Sequence, residues 1–377
     1  MKILNENTKI IYTGFDVHKD TNSACSYDPQ TNEYFAQTKF KASYKNTIHY
    51  LNQIKSRYNG EVLIVSGYEA GPTGFGLCRE IQKAGFGCTV IAPTSIRKNS
   101  SKIKTDKRDA RLLAETLAYH TYSPVQLPDE EMEAMKEYTR ARNSKKSNLK
   151  KAKQELLSFM LRTGKIYPKK ANENYWTKKH FAWLKEIKYE NKWLQESYEN
   201  YLVEVTGLMA EIVLMDDRIA KMAEDERIKE NVHRLVCIPG IDIMTAVSII
   251  VEIFEFTRFQ SAGSFCNYLG LCPSEESSGL KERRGKITKS GNCVIRRLLT
   301  ESTQSIKKTG IVKSRRICER QKGMDLAVVA YADRAAKRVR TKMKSMEIRG
   351  VKSNVATTAG ARELACFVWG MMTGNIA

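Results

Sequence analysis

The feature that most constrains the fold is the order of apolar segments in the first hundred or so residues. Three β-type apolar runs come first, with a turn signal at Asp28-Pro29, and amphipathic stretches then alternate with two further short apolar runs. Strands are predicted at residues 10–17, 22–27, 34–40, 62–68 and 88–91, and helices at 46–58, 75–84 and from about 105. An order of β-β-β-α-β-α-β-α predicts a mixed sheet flanked by helices.

Four carboxylates stand where such a sheet can gather them. The element order is that of a ribonuclease H-like fold, in which the first and fourth strands are neighbours. Asp16 ends the first strand and Glu69 directly follows the fourth. Asp106 and Asp109 are three residues apart, so they share one face of a helix that begins near Thr105. A cluster of this kind suits hard cations, Mg²⁺ or Mn²⁺, which take oxygen ligands and assist phosphodiester chemistry.

Each carboxylate also has an ordinary interpretation. Asp16 can open a turn, Glu69 can be solvated, and Asp106 can cap its helix. Taken together with the fold order, the four favour a metal cluster. The basic residues beside the last pair then fit a phosphate-binding surface better than a solvated face. Those predicted to bind nucleic acid are Lys104, Lys107 and Arg108.

The charge balance points to a polyanionic partner. The 377 residues include 63 Lys and Arg against 42 Asp and Glu, a formal net charge of +21. Cations that neutralise phosphates release condensed counterions, which favours nucleic acid as the partner. Hydrophobic residues make up 42% and charged residues 28%, which excludes a disordered or collagen-like chain. No apolar run is long enough to span a bilayer, so a cytoplasmic protein without a membrane partner is expected.

A heptad pattern follows the first region. Apolar residues alternate spacings of four and three over four heptads, which predicts a coiled coil. They are Leu194, Tyr198, Tyr201, Val205, Leu208, Ile212, Met215, Ile219 and Met222. A poorer heptad at 132–161 offers an antiparallel partner within the chain, so an intramolecular helical hairpin and an oligomerisation interface both remain open.

Glycine, serine and basic residues cluster between 270 and 297. A serine beside Gly279 in a cationic loop can act as a nucleophile toward phosphorus, with the cations stabilising transition-state charge. The loop can instead grip phosphates through backbone N–H groups without being consumed, and the residues alone favour this second interpretation. The residues predicted to contact nucleic acid here are Lys281, Arg283, Arg284, Lys286, Lys289, Asn292 and Arg296.

Three regions of different character are predicted as domains. They are an α/β domain at 1–127, a coiled-coil and helical region at 128–231, and a mainly helical domain at 232–377. The third opens with Ile-Pro-Gly-Ile-Asp at 238–242, which resembles a helix-hairpin-helix turn that contacts a DNA phosphate. A plain helix-capping turn is the alternative there.

Five motifs carry a resemblance to a known family. They lie at 14–19 (Gly-Phe-Asp-Val-His-Lys), 68–74 (Tyr-Glu-Ala-Gly-Pro-Thr-Gly), 104–111 (Lys-Thr-Asp-Lys-Arg-Asp-Ala-Arg), 238–240 (Ile-Pro-Gly) and 278–292. The last runs from Ser-Gly to Gly-Lys-Ile-Thr-Lys-Ser-Gly-Asn. In this order they resemble the DEDD transposases of the insertion-sequence one-ten family, over nearly the whole chain.

The resemblance implies a concrete activity. The first domain would be RuvC-like, with Asp16, Glu69, Asp106 and Asp109 as its metal-binding tetrad for Mg²⁺ or Mn²⁺. Ser278 in the C-terminal transposase domain would form a covalent link to DNA, with Ser277 as the fallback. The resemblance further implies a site-specific recombinase acting on donor and target DNA, a structured noncoding bridge RNA that pairs with both, and a homo-oligomer, dimer or tetramer, in a bacterial, nucleoid-associated setting.

Three other functions remain open from the sequence. A related protein that inverts a chromosomal DNA segment would carry the same motifs. A metal-dependent junction-resolving nuclease would use the tetrad to activate water, with Ser278 structural. A nucleic-acid-binding scaffold would use the basic residues without catalysis.

Overall fold

The computed structural model describes residues 8–96, 105–168, 173–275, 283–308 and 312–376. The chain divides into two compact units, Met1–Leu127 and Pro128–Ala377. The predicted three-domain division has its first boundary at the same residue, and its second boundary, at 231/232, stays a prediction.

The first unit is built on a six-stranded mixed sheet. In chain order its elements are β1 (Lys9–Val17), β2 (Thr21–Asp28), β3 (Glu33–Lys41), α1 (Tyr44–Lys55), β4 (Val62–Glu69), α2 (Gly76–Lys83), β5 (Gly87–Ile91), α3 (Asp106–Ala118) and β6 (Pro124–Val125). The strand order is β3-β2-β1-β4-β5-β6, with β1 antiparallel to β2 and parallel to β4. The predicted α/β class with a ribonuclease H-like order of elements is confirmed. The two-residue strand β6 was not predicted.

Side-chain alternation gives this sheet two different faces. Phe15 and Tyr68 are fully buried on one face, in a core that includes Leu51 of α1 and Ile81 of α2. The other face packs against α3, whose Leu117 is fully buried. Because side chains alternate along a strand, residues two positions from each other share a face, and Asp16 therefore lies on the α3 side.

The second unit is almost entirely helical. Its elements are α4 (Glu130–Arg162), α5 (Lys178–Glu186), α6 (Lys192–Met222), α7 (Lys229–Val236), α8 (Ile243–Ile253), α9 (Ala262–Tyr268), β7 (Pro273–Glu275), β8 (Arg284–Ile287), α10 (Cys293–Lys308), α11 (Arg315–Gln321), α12 (Leu326–Ile348) and α13 (Ser353–Thr373). The strands β7 and β8 form an antiparallel hairpin. None of the helices in the described ranges is long and apolar enough to cross a membrane.

The helices α4 and α6 form an antiparallel hairpin within the chain. Lys145 in the middle of α4 pairs with Glu211 in the later part of α6 at 2.6 Å. Phe159 near the end of α4 packs against Tyr201 in the earlier part of α6, with the two rings tilted and their centroids 5.4 Å from each other. The heptad residues Tyr198, Val205, Ile212 and Ile219 are buried along this seam. The seam therefore closes on α4 of the same chain, as the hairpin interpretation expects.

The turn between α7 and α8 is a helix-capping turn. The Oδ1 of Asp242 accepts a hydrogen bond from the Thr245 backbone N–H at 2.8 Å, and the Ile241 N–H donates to the carbonyl of Ile238 at 3.1 Å. The backbone amide of Ile241 is thus satisfied within the protein, and a carboxylate stands beside it. This geometry fits the capping alternative rather than a phosphate contact.

Candidate active site

A pair of glycines sets the distance between the sheet and α3. Gly14 of β1 and Gly67 of β4 are directly paired in the parallel register. A Cβ at Gly14 would lie 2.2 Å from the carbonyl oxygen of Ala110 and 2.4 Å from the backbone nitrogen of Ala114, both in α3. A Cβ at Gly67 would lie 3.1 Å from the Cδ2 of Leu117. Because both positions lack a side chain, α3 rests directly on the strand backbone, which brings its first turn close to the end of β1.

Three side chains converge at this place. Asp16, His18 and Asp106 each offer one ligand atom, and these atoms all lie within 4.8 Å of one another. The Nε2 of His18 is 3.1 Å from the Oδ2 of Asp16 and 4.0 Å from the Oδ1 of Asp106. Thr105 caps α3 by accepting from the Arg108 N–H, so Asp106 stands in the first turn, beside the end of β1.

The electrostatics of the cluster are those of carboxylates held together. Partial burial raises the pKa of the Asp16 carboxyl, His18 opposes this rise, and the charges of Asp106 and Asp109 add to it. The Lys39 ammonium, 2.8 Å from the Oδ2 of Asp106, holds the pKa of Asp106 below its usual value. Two close carboxylates without full neutralisation form a site that attracts a further cation.

The other two predicted tetrad members flank this group. Glu69 ends β4 at the register position next to Asp16, since Phe15 pairs with Tyr68, and its side chain is exposed. Asp109 lies one turn along α3 from Asp106 and close enough for its charge to act on Asp16. Neither is in the 4.8 Å group of Asp16, His18 and Asp106.

The predicted basic residues of the first unit lie around α3. Lys107 and Arg108 are exposed in its first turn, and the Lys107 carbonyl accepts a hydrogen bond from Gln37 at 3.0 Å. Lys104 lies outside the described residues. Gln37 and Lys39 both come from β3, which therefore ties the start of α3 to the sheet.

The predicted serine loop lies between β7 and β8 in the chain. Ser277, Ser278 and Lys281 are outside the described residues, as is the side chain of Arg284. What the structure describes is the base of this hairpin, where the backbone continues the pairing after β8. The Thr288 N–H donates to the Cys272 carbonyl at 3.0 Å, and the Lys289 N–H donates to the Gly270 carbonyl at 3.1 Å.

A tight glycine contact fixes the base of the hairpin. Gly291 has φ +64°, and a Cβ there would lie 1.8 Å from the carbonyl oxygen of Tyr268. The Nη1 of Arg296 donates to the carbonyl oxygens of Leu269 and Ser290 at 2.8 and 2.9 Å, clamping the two segments together. Arg296 thus binds the backbone of its own chain, while Arg283, Lys286 and Lys289 are exposed.

A buried polar chain supports the same region from below. Glu252 of α8, with its side chain only 2% exposed, accepts from the Nε of Arg140 at 2.6 Å and from the Nδ2 of Asn292 at 2.8 Å. The Oδ1 of Asn292 in turn caps α10 by accepting from the Ile295 N–H at 3.0 Å. Both the nitrogen and the oxygen of the Asn292 side-chain amide are therefore hydrogen-bonded within the protein. Asn292 positions the start of α10 relative to Glu252.

Replacing Glu252 by glutamine is expected to lower the free energy of unfolding of the second unit by about 2 kcal/mol. The substitution removes the buried negative charge that pairs with Arg140. The loss of stability is moderated because the Arg140 side chain is half exposed and water can solvate its charge. All four tryptophans lie in the second unit, so their fluorescence in urea measures this change. The matched control Glu301→Gln breaks the exposed pair with Arg297 and is expected to cost less than about 0.5 kcal/mol. Equal losses in the two variants would contradict a special role for Glu252.

Sequence reasoning missed four residues of these sites. His18 has the same two-residue alternation as Gly14 and Asp16, so its position could have been read from the strand period. Glu252 is a lone carboxylate in an apolar helix and so required a partner. Lys39 and Arg140 gave no local signal, because their partners lie 67 and 112 residues away in the chain.

Comparisons with known proteins identify the family of the chain. Residues 13–164 match a family model described as "Transposase", of the DEDD type, and residues 232–316 match the "Transposase IS116/IS110/IS902 family". The transposase y4qE of Sinorhizobium fredii is 35% identical over 80% of this chain and 73% of its own length. The transposase for insertion sequence element IS1533 of Leptospira borgpetersenii is 30% identical over 89% of this chain and 96% of its own length.

A ribonuclease H-like sheet with carboxylates gathered at the end of its first strand defines a class of metal-dependent enzymes that act on nucleic acids. Within that class, the chain belongs to the IS110 family of DEDD transposases, and it is a DNA transposase. Membership implies DNA substrates and a dependence on divalent metal ions.

Proposed function

We propose that this transposase cuts and rejoins DNA through a serine–DNA covalent intermediate, assisted by a divalent cation at the Asp16 cluster and guided by a structured RNA. The observation that carries the proposal is the convergence of Asp16, His18 and Asp106 within 4.8 Å at the end of β1. The donor set fits Mg²⁺ or Mn²⁺, because carboxylate oxygens from two separate elements meet there. Glu69 and Asp109 are proposed to complete the tetrad from the adjacent strand and the next helical turn.

The residues of this cluster have separate tasks in the proposal. A bound divalent cation would neutralise charge on a phosphodiester oxygen during strand cleavage. His18 orients the Asp16 carboxylate through the 3.1 Å contact, and Lys39 holds Asp106. Lys107 and Arg108, exposed beside them, are proposed to contact the DNA backbone, together with Lys104.

Ser278 is the proposed nucleophile, with Ser277 as the alternative. Its Oγ forms a bond to phosphorus while the bond from phosphorus to one strand oxygen breaks. The serine gives up its proton and the leaving oxygen gains one. One phosphate ester is exchanged for another, so the strands can be resealed without ATP. The clamped base of the β7–β8 hairpin supports this role, because it fixes the two ends of the segment that carries the serines.

The remaining basic residues of this hairpin are proposed to hold nucleic acid. Lys281, Arg283, Arg284, Lys286 and Lys289 supply the cations, and Arg296 and Asn292 position the loop beneath them. The net charge of +21 supports binding of polyanions, the class to which both DNA and the proposed RNA belong. The proposed RNA is a structured bridge RNA whose pairing with donor and target DNA supplies sequence choice.

We also propose a homo-oligomer, a dimer or a tetramer. The inner seam of α6 is already covered by α4, but its outer face carries exposed Val203, Val213 and Leu214, which are 67%, 67% and 61% accessible. Apolar residues repeated along an exposed helix face mark an interaction surface.

A covalent-adduct assay tests the serine proposal. The protein is co-expressed with its flanking noncoding DNA, supplied with donor and target duplexes and Mg²⁺, and any DNA-linked peptide is mapped by mass spectrometry. An adduct on Ser278 that disappears in Ser278→Ala but persists in Ser277→Ala supports the assignment. Cleaved DNA without adduct, unaffected by Ser278→Ala, would show a hydrolytic junction-resolving nuclease instead. Products of inversion rather than insertion would indicate the related invertase activity.

A further inference from the structure

A groove on the second unit is lined by cations and has an apolar floor. It lies between α11, α12 and the turn after α7, and has a volume of about 580 Å³. Pro239, Ile317 and Ala336 are buried at its floor. None of the residues already placed in the candidate active site lines it, and we call it the α11–α12 groove.

The charges that line the groove are unbalanced. Lys313, Lys337, Arg340 and Lys344 line it, and Asp333 is the acidic residue among its lining residues. Asp333 is already bound to Lys313, with the Lys313 Nζ and Asp333 Oδ2 2.6 Å from each other. In the part of the chain that the structure describes, Lys337 and Lys344 have no carboxylate partner.

The helix α12 has a second basic face that serves as an internal comparison. Arg338 and Lys342 are close in the chain to residues of the groove. The Nε of Arg338 lies 3.0 Å from the Oε2 of Glu363 in α13, and the Nζ of Lys342 lies 4.0 Å from the Oε1 of the same residue. The cations on this face of α12 therefore share a carboxylate partner within the fold. The other face, with Lys337 and Lys344 seven residues and thus two helical turns from each other, keeps its charge.

We propose that the α11–α12 groove binds the backbone of duplex DNA. A row of cations extending about 10 Å along a helix is longer than a single small anion and fits a polymer with a phosphate at each step. The apolar floor formed by Pro239, Ile317 and Ala336 suits the sugars between phosphates. Contacts of this kind position the substrate and carry no sequence information, which agrees with sequence choice by base pairing. The inference rests on DNA being the substrate and does not depend on the serine–DNA link.

Two charge-matched double variants of the full chain test the groove. Lys337→Gln with Lys344→Gln removes two groove cations, and Arg338→Gln with Lys342→Gln removes two cations from the opposite face of the same helix. Binding to a fluorescent 30-base-pair duplex is measured without divalent metal, between 50 and 300 mM salt, so that no cleavage contributes. Thermal unfolding of each variant establishes that it folds.

The groove variant is expected to reduce the slope of log affinity against log salt by about 1.8, two contacts at about 0.9 each. Its affinity at 0.1 M salt is expected to fall roughly 10- to 100-fold, and the slope of the control to change by less than half as much. Thr341→Glu, which places a negative charge in the groove, is expected to weaken binding where Ser345→Glu does not. Equal losses of duplex affinity in a groove variant and its matched control would overturn the proposal. An unchanged slope of log affinity against log salt in the groove variant would also overturn it. Loss of affinity for a structured RNA with duplex binding intact would also overturn it.

Discussion

Replacing Asp16 by asparagine is expected to lower single-turnover strand cleavage about 1,000-fold or more, with the fold retained. Asp16 is the residue nearest to the centre of the cluster, since His18, Asp106 and Asp109 all act on it. The substitution removes the negative charge of a proposed cation ligand and so weakens cation binding, and stabilisation of transition-state charge by a metal ion is worth several kcal/mol. The measurement is cleavage of a labelled DNA end with Mg²⁺, beside thermal unfolding of the same variant.

Asp20→Asn is the matched control for this variant. Asp20 is exposed, follows the same strand, and undergoes the same chemical change without lying in the cluster. Its cleavage rate is expected to stay within about twofold of the unsubstituted chain, since surface substitutions have small effects. Cleavage by Asp16→Asn at the same rate as Asp20→Asn would exclude the cluster as the catalytic centre.

The second large effect is expected for Gly14→Ala, which should destabilise the first unit by about 3 kcal/mol. The new Cβ would meet the backbone of α3 at 2.2 and 2.4 Å, and backbone cannot turn aside as a flexible side chain can. The helix must move away from β1, and Asp106 moves with it. Hydrogen–deuterium exchange of peptides from β1 and α3 is expected to rise, and strand cleavage to fall in parallel.

Gly60→Ala provides the comparison. A Cβ at Gly60 meets nothing within 4 Å, so this variant is expected to leave exchange in β1 and α3 unchanged. If the peptides of β1 and α3 exchange hydrogen equally slowly in Gly14→Ala and Gly60→Ala, the close approach of α3 to β1 is not what holds the Asp16 cluster together.

The regular elements of the first unit could be predicted because their signals are local. Alternation of apolar residues, turn residues and the capping residue Thr105 each act within a few positions, and the order of elements then restricts the sheet topology. The heptad residues of α6 likewise predicted a long helix and a partner. They did not choose between α4 and another chain, because both bury the same seam.

The details of the sites depend on contacts that cross the fold. Lys39 reaches Asp106 because β3 lies at the edge of the sheet beside the start of α3, which no local pattern encodes. The partner of Glu252 is Arg140, on a helix that begins more than a hundred residues earlier. The importance of Gly14 follows from the packing of α3 against it. In a strand pattern alone, a glycine indicates only a weakened strand or the close approach of some other part of the backbone.

The most direct test of the central claim is a switch of metal preference in Asp16→Cys. A thiolate accepts softer metal ions more readily than Mg²⁺, so a residue that holds the catalytic cation should change which ion supports cleavage. The variant is expected to be inactive with Mg²⁺ and to recover cleavage with Mn²⁺ or Cd²⁺. Its ratio of the cleavage rate with these ions to the rate with Mg²⁺ is expected to be at least about tenfold higher than the same ratio in the unsubstituted chain. A ratio of rates between these ions and Mg²⁺ that is the same in both proteins would contradict a metal centre at Asp16.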